Sequence, residues 1–543
     1  MKRFAHASLV FGLILLPAAT SLGSRNQHDH GSPDGRLGTV HFTNSCSKAV
    51  AGEFDRAVAM LHSFWFSAAI DTFNSVLKND PGCAMAHWGI AMSRWGNPFG
   101  GFRTPDALKA GLAAVEKGKT AGTPTDRERR YLAAVEILFK DAATIAQRTR
   151  TLEYEKAMEQ LAAAFPDDPE ARILYALALD QTALPTDKTY TNQLKAAEIL
   201  EREFAHQPDH PGLAHYIIHS YDVPALAPRG LDAARRYAKI APAAPHALHM
   251  PSHTFTRVGA WQESIETNRA SADAARRDNA ASEELHALDY QVYAYLQTAQ
   301  DLAARKSMAE IAAIGARIQM NAPGAAAPPL AGFYALAAIP ARYALERNAW
   351  RDAAALTPSE TPFANADAVT HFARALGAAR GGNPAEAAKD VEKLASLRDA
   401  LQKANDAYWA GQVEIQRLVA TAWIALAEGR QDEALALLRK AADTEDATEK
   451  SAVSPGPIKP ARELLGEMLL ELKRPAEALT EFEATMKKEP NRFRGVHGAA
   501  QAADALGDRQ KARTYFASLV EITQRADKPG RAELQAAQKA APK

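Results

Sequence analysis

Sixteen histidines are spread unevenly through the 543 residues, and seven fall between His206 and His253. Two pairs stand out there, His215-Tyr-Ile-Ile-His219 and His249-Met-Pro-Ser-His253. Spacing of i, i+4 puts both imidazoles of a pair on one helical face. The step along the chain from His215 to His249 equals the step from His219 to His253. His286 follows His253 after a step only one position shorter, with Asp289 on the next turn. Imidazole is the commonest transition-metal ligand in proteins. Two such pairs on neighbouring helices could supply four nitrogens to zinc, copper or nickel. Asp289 would turn the set into a mixed nitrogen and oxygen site suited to iron or manganese. His246 and His286 would bring it to six imidazoles, enough for two ions. Pro251 lies inside the second pair and belongs in a first helical turn, so His249 is expected in a cap or loop. The competing readings are a polar groove that binds a peptide, or buried histidines satisfied one by one.

A step shared by both pairs asks for a scaffold with that period. Ala478, Phe482 and Pro490 form A-x3-F-x7-P, and Ala512 and Phe516 repeat its first two positions after the same step that separates the histidine pairs. Ala69, Phe73 and Pro81 match it near the other end. Ala157, Leu161, Ala164 and Pro169 give another copy, and Ala196, Leu200 and Pro208 a further one. Ala434, Leu438 and Ala441 begin a copy that is followed by a longer loop around residues 451–460; Ala387, Val391 and Leu394 match more weakly. These offsets and this step are those of the tetratricopeptide repeat, a helix pair of about 34 residues. The small residue lets two helices approach, the bulky one fills the gap to the next pair, and Pro closes the second helix. The composition is Ala-, Leu- and Glu-rich beyond residue 40, and no long run alternates with period two. The fold class expected is therefore all-α, a tetratricopeptide-like solenoid of antiparallel helix pairs. Both histidine pairs follow helix-closing prolines, so each belongs at the start of a first helix. First helices line the concave face of such an array, about 8–10 Å apart, and four imidazoles should converge there.

A second region is aromatic. His62, His87, Trp88, Trp65, Phe66 and Trp95 cluster in AMLHSFWFSAA and AMAHWGIAMSRWGNPFG. They read as core packing of the first repeats or as an aromatic end to the groove, with Tyr216 and Tyr290 beside the histidines.

Lys2, Arg3, the apolar stretch Ser8 to Ala19 and the small residues after it have the order of a secretory signal peptide. That predicts a periplasmic or secreted protein without an integral membrane segment once residues 1–23 are removed. Residues 24–40 read as a flexible leader. In an oxidising compartment Cys46 and Cys83 could pair, or both could be free and buried. Sixty-four Lys and Arg balance 64 Asp and Glu, which gives no polybasic surface for nucleic acid. Charged residues at 24% and a mean hydropathy of -0.29 exclude a polytopic membrane protein. There is no G-x-S-x-G, H-E-x-x-H or C-x-x-C, and Gly111 to Gly118 is too widely spaced for a phosphate loop.

With these residues in view, the chain resembles a group of exported bacterial tetratricopeptide-repeat proteins of unassigned activity. The resemblance lies in residues 54–99, LAHYIIHSYD (213–222), HALHMPSHTFTRVGAWQESIETN (246–268) and ELHALDYQVYAYLQ (284–297). It implies the repeat fold and a binding role, with no substrate. The organisation expected is an N-terminal array over 41–320, an irregular connection over 321–365, C-terminal repeats over 366–530 and a tail over 531–543. Three functional readings follow. The first is a binding protein for a peptide or protein, with a His-rich, metal-holding site in its groove. The second is a metal-dependent oxidase or hydrolase using zinc, copper or iron. The third is an envelope adaptor in which the histidines are incidental.

Overall fold

The computed structural model describes residues 35–101, 103–320 and 326–540. The segment read as a signal peptide and most of the expected leader lie outside them. Among the described residues the regular elements are helices, and they run as consecutive antiparallel pairs. The N-terminal array opens with Ala51–His62 and Phe66–Asn79; Pro169–Thr182 and Thr191–His206 form a later pair. Each helix packs on the next, and first helices of adjacent pairs pack on one another, as Ala281–Gln297 does on Pro329–Leu345. This is the all-α solenoid expected.

The repeat residues act as their spacing requires. Phe73 and Phe482 are wholly buried. A Cβ on Gly89, in the following helix Ala84–Trp95, would lie 2.2 Å from the Phe73 ring, and one on Gly498 would lie 2.3 Å from Phe482. The bulky residue of one pair thus fills a notch that only glycine leaves in the next. Phe516, in the last copy, is only partly buried because fewer repeats follow it.

Several expected boundaries change. Residues 35–40 are no free leader: Leu37 and Val40 are buried, and the Thr39 N–H donates to the Asp209 carbonyl at 2.9 Å. Of the expected connection, residues 326–365 hold helix Pro329–Leu345 and the short helix Trp350–Ala354, and the run 356–363 before Ala364–Arg380 is irregular. Pro329 and Pro340 lie within a helix, whereas Pro358 and Pro362 fall in the irregular run. Pro329 occupies the first turn, where a missing N–H costs nothing, and the Ala-rich run carries the helix through Pro340. Part of the tail is also structured, as helix Ala532–Ala540, with Leu534 and Ala537 buried and Arg531 paired to Asp301 at 2.6 Å. Cys46 and Cys83 form a disulfide. No helix of the described residues is long and apolar enough to cross a membrane.

The array curls until its C-terminal repeats meet its middle. Arg492 is fully buried there, paired with Glu346 and Glu463 and donating to the Tyr293 hydroxyl at 2.6 Å. The longer loop between Gln431–Asp446 and Ala461–Glu471 crosses the interior. Its Lys450 reaches Asp222 at 3.1 Å, its Ala452 and Ser454 carbonyls accept from Tyr290, and Arg342 binds its Gly456 and Pro457 carbonyls. The inner face beside the histidines, expected to be an open groove, is therefore filled by the chain's own segment.

Candidate metal centre

His215 and His219 sit one turn apart on helix Pro211–Ser220, which Pro211 starts and whose every residue is buried. His246 and His249 lie on the five-residue helix Pro245–His249, and His253 on Pro251–Arg257. Met250 between them keeps helical dihedrals, so the chain runs on almost as one helix with Pro251 restarting it. His249 is accordingly the last residue of a helix, not a loop residue. His286 lies on Ala281–Gln297.

The imidazoles converge, but not as the i, i+4 pairs alone. They divide into two sets of three, His215, His219 and His246, and then His249, His253 and His286. Within each set one ligand nitrogen per residue lies within 4.8 Å of the others. His246, one turn before the second pair, faces back to the first. Its ring is 5.1 Å from that of His215 between centroids.

In the first set the Nε2 atoms of His215, His219 and His246 are all buried without a hydrogen-bond partner. His215 donates from Nδ1 to the His62 carbonyl at 2.7 Å, which leaves its Nε2 as the lone-pair atom. Phe64 stands among the three rings, with centroids 4.3, 5.9 and 5.5 Å from His215, His219 and His246. Its backbone is left-handed (φ 53°), a conformation uncommon for a bulky residue. Burial pushes His215 down to about 3, and His219 and His246 well below the usual imidazole range. At neutral pH the set presents neutral nitrogens in a buried site, the state a metal requires.

In the second set His249 Nδ1 faces Asn268 Oδ1 at 2.8 Å, and His253 Nδ1 faces Asp222 Oδ2 at 2.8 Å. The Nε2 atoms of the two rings face each other at 3.1 Å. Burial alone would raise the Asp222 carboxyl; Lys450 and Arg257 outweigh it and hold Asp222 well below the usual carboxylate range. Burial pushes His249 far down and His286 to about 3. Tyr290 packs against all three rings at 4.8 to 5.2 Å.

Other predicted residues take different places. Asp289 is not in either set: its Oδ1 accepts from Arg342 Nε at 3.0 Å, and the buried guanidinium draws it away. Trp88 does not wall a groove but lies in the core against Phe42 and Tyr131, and His87 is only partly buried beside it. Tyr216 and Tyr290 are buried too. His62 joins a third trio, with Glu170 bridging His62 Nε2 and His210 Nε2 at 3.0 Å each. Burial alone would raise the Glu170 carboxyl; the two imidazoles hold it well below its usual range. Both its oxygens are engaged by the two imidazoles, while His210 Nδ1 is buried without a hydrogen-bond partner. Sequence spacing missed Phe64, Glu170, His210 as its partner, Asn268 and Lys450. All reach the cluster from distant parts of the chain and carry no periodic signal.

One side of the first set opens on a cavity of about 310 Å³, lined among others by Phe99, Asp180, His219, Asp222, Tyr408 and Lys450. Phe99 stacks on His219 with centroids 4.2 Å apart. Burial raises Asp180 to about 7.

No family model matches the chain, and no curated protein matches it. Among solved structures, a monomeric mutant of IFIT1 with Gppp-AAAA is similar over 81% of this chain and 90% of that one, at 10% identity and a TM-score of 0.33. A second IFIT1 mutant, with m7Gppp-AAAA, gives 11% identity, the same coverage and the same score. A likeness at that score carries no argument about this chain's ligand.

Proposed function

We propose that this is a metal-binding repeat protein, exported by the segment at 1–23, that holds a transition-metal ion on His215, His219 and His246. The observation that carries the reading is three imidazoles whose ligand nitrogens lie within 4.8 Å of one another, each with its Nε2 buried and without a hydrogen-bond partner. Buried polar atoms are rarely left unmet, because each costs about 1–3 kcal/mol. A divalent ion takes up all three lone pairs at once. The His62 carbonyl supplies the outer contact that orients His215 for it. The disulfide supports an oxidising compartment, where such bonds persist.

A peptide or protein ligand fits the outer surfaces better than the inner face, which residues 450–457 occupy. An enzymatic reading draws on the cavity at His219. Three protein ligands leave a position on the ion for water or substrate, and Asp180, poised near neutrality, could carry a proton there.

The test is metal content by elemental mass spectrometry on tag-free mature protein, beside a His219→Leu/His246→Leu variant. Near-stoichiometric metal that the variant loses is the expected result. Absence of metal from the wild type, even after zinc, copper and iron are offered, would overturn the proposal.

A further inference from the structure

We propose that His249, His253 and His286 hold a second ion beside the first, and that the two form a coupled copper pair bridged by one oxygen ligand. This rests on the metal reading above and extends it to a second site, a metal preference and a magnetic property.

The hydrogen bonds behind the second set assign its tautomers. Asn268 donates from Nδ2 to the Ser264 carbonyl at 2.8 Å, so its Oδ1 accepts and His249 Nδ1 must carry hydrogen. Asp222 accepts from Arg257 at 2.9 Å and Lys450 at 3.1 Å, which keeps it a carboxylate, so His253 Nδ1 carries hydrogen as well. Both neutral rings then present lone pairs at Nε2, and these face each other across 3.1 Å. Two facing lone pairs repel unless something electrophilic lies between them. Nitrogens roughly 2.0–2.1 Å from a tetrahedral ion are about 3.3 Å apart, and about 2.9 Å apart at a right angle. The observed separation falls between these. His286 completes a set of three, its ring 4.4 Å from that of His249 and its Nδ1 buried without a partner.

The two sets adjoin. His246 and His249 are 6.0 Å apart between ring centroids, and His219 and His253 are 6.2 Å apart. A two-metal site needs its ions about 3.5–4 Å apart, and rings this close are compatible with that separation. Each ion keeps open positions after three protein ligands, so one water or hydroxide can bridge both.

The ligand chemistry selects the metal. All six donors are neutral imidazoles, and neither set contains a thiolate or a carboxylate. Paired iron sites in helical proteins draw on glutamates. The nearest anion here, Asp222, is turned to the outer nitrogen of His253. For nitrogen ligands copper(II) stands above nickel and zinc in affinity.

The probe is copper(II) titrated into the full mature chain, read by elemental analysis and by electron paramagnetic resonance with spin counting. Two coppers per chain with almost no resonance signal are expected, because a bridging oxygen pairs the two spins. His286→Leu should retain one copper, and its signal should appear at one spin per chain. One copper per wild-type chain, lost in His219→Leu but kept in His286→Leu, would overturn the pair and leave the first site standing. Two coppers giving two full spins would overturn the coupling. Zinc retained against equimolar copper(II) would overturn the metal assignment. No copper at all would sink the first site as well. Should His286→Leu fail to fold, copper content and spin count of the wild type alone decide between these outcomes.

Discussion

Replacing His219 by Leu should change stability in opposite directions with and without metal. In the metal-free protein the His219 Nε2 is buried and unmet. Such an atom costs about 1–3 kcal/mol, and replacing it by an apolar group of similar size removes that cost. The change also gives up the stack on Phe99, whose ring is 4.2 Å away. That stack is worth roughly 0.5–1.5 kcal/mol. The metal-free variant should therefore range from about 0.5 kcal/mol less stable than the wild type to about 2.5 kcal/mol more stable. Metal reverses the order. At a free concentration a thousand times its dissociation constant, an ion that binds only the folded state stabilises it by about 4.1 kcal/mol. With two imidazoles left, the variant should lose most of that. Urea unfolding followed by far-ultraviolet circular dichroism, once with a chelator and once with saturating copper or zinc, measures both differences. A variant less stable than the wild type by about 2 kcal/mol or more under chelation would refute the reasoning, since an ordinary satisfied core histidine gives that result. Equal stabilisation of both proteins by metal would refute it too.

Three further outcomes are expected. Burial alone would raise the Glu467 carboxyl, but Lys459, 2.7 Å away, and Arg380 hold it at about 2 against an ordinary 4.5. Its contribution of about 3 kcal/mol is complete above pH 4.5 and is lost as pH falls from there towards 2; unfolding free energies measured down this range should fall less steeply for Glu467→Gln. Arg492→Met leaves Glu346 and Glu463 buried together without their cation, which should cost about 3–5 kcal/mol, and native-state hydrogen exchange should show helix Phe493–Ala505 losing protection first. Opening the Cys46–Cys83 bridge, 37 residues apart, as Cys46→Ser/Cys83→Ser should lower stability by about 4 kcal/mol on loop-closure grounds, measurable as a lower urea midpoint.

Much of this architecture can be read from residue order. Ala478, Phe482 and Pro490 mark a helix pair because helix packing is local: a small residue, a bulky one and a terminator within one repeat dictate its shape. The same period puts His215 and His249, and likewise His219 and His253, at equivalent places in neighbouring pairs, which is why the cluster is visible in the sequence. The grouping within the cluster is not. His246 joins the first pair because a turn of helix before Met250 faces it back toward Pro211–Ser220. Asp289 leaves the cluster because Arg342, 53 residues later, takes its oxygen. Phe64, Asn268, Asp222 and Lys450 set the tautomers and burial of the site from separate repeats, and the segment around Lys450 fills the inner face because the array curls back on itself. Period and helix are properties of neighbours along the chain. Which lone pairs are left unmet depends on side chains brought together from distant repeats, and only the tertiary fold decides that.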